Sequence, residues 1–79
     1  MNYKEELIRS MNFLAQDPKT IFLGQGVCYP GHVIYDTVKD IERSQRLELP
    51  VAEELQLGMS IGLSLQGYIP VSLFPRVNF

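Results

Sequence analysis

The run Thr20-Ile21-Phe22-Leu23 is β-branched, aromatic and aliphatic with no polar alternation, and it stops at Gly24-Gln25-Gly26. A strand with one face in water alternates, so an unbroken apolar strand is buried on both faces and needs cover on each. Ile69-Pro70-Val71-Ser72-Leu73-Phe74 has the same character, with proline near its first position, where a missing N–H is tolerated. Both runs therefore belong in a sheet packed between helices.

The segments between them supply those helices. Over residues 3 to 15, Tyr3, Leu7, Met11 and Leu14 recur at helical spacing, while Lys4, Glu5 and Arg9 turn elsewhere and Glu5 stands four residues before Arg9 as a surface pair. Asp17-Pro18 ends this helix, because a residue before proline is pushed out of the α region. From His32 to Ile41 the apolar Ile34, Val38 and Ile41 repeat as i, i+4, i+7, with Asp36, Lys39 and Asp40 left to water. A third helix follows Pro50, with Glu53 and Glu54 in its first turn at the positive end of the dipole, and runs to about Gln66 before Gly67 stops it. Arg46 to Leu49 gives little pattern by itself as a strand. The resulting order, helix and strand three times over, predicts an α/β fold: parallel strands, right-handed crossovers and flanking helices.

With 79 residues the chain is at most one domain, and its 46% hydrophobic and 20% charged residues are those of a globular protein. A net charge of −2 with seven scattered Lys and Arg offers no basic stripe for nucleic acid. Its apolar runs are far shorter than the roughly 20 residues that cross a bilayer, so a membrane is not expected. Cys28 is the only cysteine, which excludes an internal disulfide and fits a cytoplasmic setting. His32 has no acid or cysteine at ligand spacing, Cys28 reads as a small buried thiol, and Gly24-Gln25-Gly26 lacks the remainder of a phosphate loop.

In open parallel sheets, ligands collect at the carboxyl ends of strands, and Glu53 follows such an end at the mouth of a helix. Out of context, a glutamate there is ordinarily a solvated partner of the dipole. Glu53, however, opens a longer pattern: four residues, Gly58, apolar Met59, two residues, Gly62, apolar Leu63. Around it stand Phe22-Leu23-Gly24, Arg46-Leu-Glu-Leu-Pro-Val-Ala-Glu53, Gly67, Pro70-Val71 and Asn78-Phe79. This resembles the pyrimidine-binding domain of thiamine-diphosphate enzymes, closest to the β subunit of 2-oxoacid dehydrogenases and akin to the central domain of transketolases. The match covers all of residues 1–79, as the N-terminal portion of that domain.

The resemblance implies that Glu53 is both catalytic and cofactor-binding. It would hydrogen-bond N1′ of the aminopyrimidine and favour the imino tautomer that removes the thiazolium C2 proton. A carboxyl in that role needs a dry setting that raises its pKa, to which Leu49, Val51, Leu55 and Leu57 could contribute. Phe79 falls where an aromatic packs on the pyrimidine ring, and Gly58 and Gly62 lie on a helix near a subunit contact. Thiamine diphosphate would be shared with an α-type, diphosphate-binding partner, which would also hold Mg²⁺, since this chain has no Gly-Asp-Gly segment with a following asparagine and so no metal site of its own. The implied substrate is a 2-oxoacid, and the implied assembly a homo- or hetero-oligomer. Departures are Gln25 in place of an acid, Leu49 in place of threonine and Glu48 in place of aspartate. Two other readings stay open: a non-catalytic interaction or structural remnant of the fold, and transketolase-type ketol transfer. With sheet edges uncovered, the isolated chain is expected to be an oligomer or marginally folded.

Overall fold

A computed structural model describes residues 3–30, 33–50 and 53–73, with the backbone alone for Val33 and Glu53. Its elements are α1 (Tyr3–Leu14), β1 (Thr20–Gly24), α2 (Val33–Val38), a 3-10 turn (Arg43–Gln45), β2 (Arg46–Glu48), α3 (Glu53–Leu65) and β3 (Ile69–Leu73). The strands form one parallel sheet in the order β2-β1-β3, with Phe22 level with Arg46 and Val71. The α/β class and parallel sheet expected from the apolar runs are thus present.

Strand alternation divides the packing between two faces. Phe22, Val71 and Leu73 face α1 and α2, where they meet Met11, Ala15, Ile34, Val38, Ile41 and the loop residues Val27 and Cys28. Leu23 and Ser72 face the other way, toward α3, whose Gln56 reaches both positions. Phe22, Leu23, Val27 and Val38 are fully buried, each worth roughly 1.5–3 kcal/mol of apolar burial. The chain leaves β1 for β2 past α2 on one face, then returns over β1 to β3 through α3 on the other. Reversing direction and face together keeps both crossovers the same hand.

Local signals explain the ends of the elements. The Thr20 hydroxyl donates to the Leu14 carbonyl at 2.8 Å, closing the end of α1, and the Asp17 carboxylate accepts from the Lys19 N–H at 2.9 Å in the turn before β1. At the end of α3, the Tyr68 N–H donates to the Leu63 carbonyl and the Gly67 N–H to that of Ser64, with Gly67 at φ +90°. Those paired bonds around a left-handed residue are the reason a glycine stands there. The Ile69 N–H points to β1, donating to the Lys19 carbonyl at 2.8 Å. Alternation then turns the Pro70 nitrogen outward, where it breaks no ladder bond.

Several expectations need correction. Tyr3 and Leu14 are exposed, and the packed stripe of α1 runs instead through the half-buried Leu7, Ile8, Met11 and Ala15. Successive helical residues differ by about 100°, so with Ala15 over the core Leu14 faces out. Arg9 pairs with Glu6, three residues back, at 3.1 Å. Asp36 is not simply solvated, for its carboxylate accepts from Lys4 Nζ at 3.1 Å and so links α2 to α1. α2 is also shorter than its apolar repeat, and Ile41 reaches the core from beyond it. β3 is half-buried, not enclosed, because of the three described strands β1 alone has neighbours on both sides. Phe74 lies outside the described residues.

Gly24 ends β1 at φ +151°, and a Cβ there would collide with the Leu73 carbonyl oxygen. Gly24→Ala is expected to lower unfolding free energy by on the order of 2–3 kcal/mol in urea titration. A variant as stable as the parent would show that β1 and β3 do not approach this closely.

Candidate functional site

At the carboxyl edge of the sheet, the loop leaving β1 turns toward α2 on one face, and the segment leaving β2 turns toward α3 on the other. β1 and β2 are neighbours, so their exits diverge at a topological switch point, the usual location of a ligand crevice in an open parallel sheet. Glu53 starts α3 on the segment leaving this point.

Side chains of β2 pin the loop beside it. The Glu48 carboxylate accepts three backbone N–H bonds, from Gly26 at 2.8 Å, Val27 at 2.9 Å and Cys28 at 3.0 Å. Arg46 donates to the Val27 carbonyl at 3.1 Å, and the Leu49 N–H to that of Gly24 at 2.9 Å. Gly26, at φ +83°, lets the chain turn so that successive N–H groups converge on one carboxylate. The Gly24-Gln25-Gly26 turn is therefore structural, as expected, and its neighbouring N–H groups are taken up internally. Cys28 is a buried thiol, 3.7 Å from the Arg46 carbonyl.

Opposite the loop, α3 is tied to the sheet by Gln56. Its Nε2 lies 2.6 Å from Ser72 Oγ, 2.9 Å from the Leu73 carbonyl oxygen and 3.2 Å from that of Leu23. The rest of α3 is poorly covered: Leu55, Leu57, Ile61 and Leu65 are 47, 54, 64 and 81% exposed. A Cβ at Gly58 or Gly62 would meet nothing within 4 Å. The glycines floor a shallow open groove flanked by Leu55, Met59 and Leu63.

The candidate site residues fare unequally. Glu53 is placed at the switch-point edge by its backbone, while its side chain, Val51, His32 and Phe79 lie outside the described residues. Of the apolar residues expected around Glu53, Leu49 is buried, whereas Leu55 and Leu57 are exposed among the described residues. Those two sit on faces of α3 turned from the sheet. Among the described residues no three His, Cys, Asp or Glu side chains are grouped to hold a metal ion, and no helix is long and apolar enough to cross a membrane. Sequence reasoning missed the bonding of Glu48 and Gln56; an acid inside a strand and an amide on the inward side of a helix were the available signals. No protein-family model matches the chain, and neither a curated relative nor a similar solved structure was found.

Replacing Glu48 with alanine would leave three loop N–H groups without their acceptor. Glu48→Ala is expected to cost about 2–4 kcal/mol of stability and to speed amide hydrogen exchange at 26–28. Unchanged exchange at those amides would refute the clamp.

Proposed function

We propose that this chain is the pyrimidine-binding portion of a thiamine-diphosphate-dependent 2-oxoacid dehydrogenase of the β-subunit type, acting with a partner that carries the diphosphate-binding half. The observation that carries this reading is the start of α3 at Glu53, directly beyond the switch point of a parallel sheet. That is where a carboxylate must stand to meet a ligand at the carboxyl edge.

The residues present fit the pyrimidine half of the cofactor only. When bound, thiamine diphosphate supplies a carbon nucleophile that adds to the carbonyl of a 2-oxoacid. Glu53 would hold or share a proton at the aminopyrimidine N1′, a task that favours a carboxyl kept from bulk water. That shelter would come from Leu49, itself buried, and from a partner covering Leu55 and Leu57. Mg²⁺ and the diphosphate would be held by the partner.

The exposed face of α3 supports the requirement for a partner. Each helical glycine costs about 1 kcal/mol relative to alanine, and among the described residues nothing packs into the space left at Gly58 and Gly62. A helix that is apolar on its outward side belongs in an interface. Gln25 and Leu49, both departures from the family pattern, favour the second reading, a non-catalytic remnant that keeps the fold and the interface.

Two measurements test the proposal. In the assembled complex, Glu53→Gln is expected to reduce turnover with 2-oxoacids by at least about a hundredfold, the scale of proton-transfer catalysis. Full turnover in that variant, or no saturable binding of thiamine diphosphate with Mg²⁺ by the complex, would leave the remnant as the reading. Gly58→Ala and Gly62→Ala should each stabilise the isolated chain by about 1 kcal/mol while weakening association with the partner. Loss of stability in the isolated chain would mean that the glycines already serve a contact there.

A further inference from the structure

We infer that Gln56 is a positioning residue, one that sets the rotation of α3 about its axis and with it the side of the helix on which position 53 stands at the carboxyl edge of the sheet; this rests on the proposed role of Glu53. The apolar residues of α3 are Leu55, Leu57, Met59, Ile61, Leu63 and Leu65, one at every second position. In a helix that spacing gives two stripes on opposite sides, Leu55-Met59-Leu63 and Leu57-Ile61-Leu65, because residues four apart lie about 40° apart and consecutive members about 200°. Burial of apolar area therefore does not choose between the two stripes: turning α3 by about half a turn would exchange Met59 and Leu63 for Ile61 and Leu65 at similar gain.

A directional contact does select it. Gln56 is the one buried side chain among the described residues of α3, at 4% exposure. Its amide is aimed at Ser72 Oγ and the Leu73 carbonyl of β3, and at the Leu23 carbonyl of β1. Three acceptors from two strands converge on one nitrogen, and hydrogen bonds weaken steeply with misalignment, so rotation of α3 would break the whole set. Gly24 leaves room for it: a Cβ there would stand 3.1 Å from Gln56 Nε2. Glu53 lies three residues before Gln56, on the adjoining turn of the same helix, so the setting fixed at one is passed to the other by rigid backbone.

The test uses Gln56→Leu, which keeps side-chain volume without the donor, and Ser72→Ala, which removes the shortest bond without altering α3. Each is assembled with the diphosphate-binding partner and loaded with thiamine diphosphate and Mg²⁺, and deuterium exchange at the cofactor's thiazolium C2 is followed by NMR. In the unloaded protein, amide exchange along α3 is measured as well. Both variants are expected to speed α3 amide exchange and to slow C2 exchange, Gln56→Leu by on the order of ten- to a hundredfold, the scale of a small misplacement at a reacting centre. C2 exchange at the parent rate in both, while Glu53→Gln suppresses it, overturns the role of Gln56 and leaves that of Glu53 standing. A parent rate in Glu53→Gln itself overturns both. If Gln56→Leu fails to fold, Ser72→Ala decides: parent-like exchange there sinks the inference.

Discussion

Burial of β1 on both faces and along both edges is the constraint from which the remaining arrangement follows. Phe22 and Leu23 are wholly inaccessible and point to opposite sides of the sheet, so neither α1 with α2 nor α3 can be dispensed with. The same strand carries β2 on one edge and β3 on the other. Because the two crossovers lie on opposite faces, the exits of β1 and β2 separate at the carboxyl edge, where α3 begins. The position of the candidate site is thus a geometric result of how one apolar strand is covered.

Around this strand, polar side chains perform joins that a larger core would make with apolar ones. Gln45 Nε2 lies within 3.2 Å of the carbonyl oxygens of Ala15, Asp17 and Thr20, holding the turn between α1 and β1 against the start of β2. Glu48 gathers the loop after β1, and Gln56 ties α3 to the strand ends. Each brings a single side chain within hydrogen-bond distance of three backbone or hydroxyl groups, offering partners to atoms at the ends of short elements that have few others. Such joins are directional, which suits a structure that must hold one geometry at its carboxyl edge with little apolar area to enforce it.

Much of the fold was legible in local chemistry. The unbroken apolar run of β1, the acidic first turn of α3 and Gly67 at its end all stand where the sequence places them, because each depends on neighbours within a few residues. Leu14 was misassigned, since helical spacing admits two adjoining stripes and only the sheet decides between Leu14 and Ala15. The composition of β3 matches that of β1 and so predicts an enclosed strand, but composition does not reveal which strand is central. For the candidate site, the pattern around Glu53 marked a position that the topology puts at the switch-point edge of the sheet. The contacts of Glu48 and Gln56 were not legible, as their partners lie 16 to 33 residues away and are mostly main-chain atoms that leave no trace in side-chain identity.

The alternation of apolar residues along α3 has a further consequence before the chain is folded. Residues 55–65 carry no charge and no proline, and an extended chain would place their six large apolar side chains on one side, the form of segment that self-associates as cross-β. Gly58 and Gly62 lie on the opposite side of that same extended form, where their low strand propensity and lack of side chains weaken stacking between copies. The glycines that leave α3 open to a neighbour in the folded protein thereby act as gatekeepers for the nascent one.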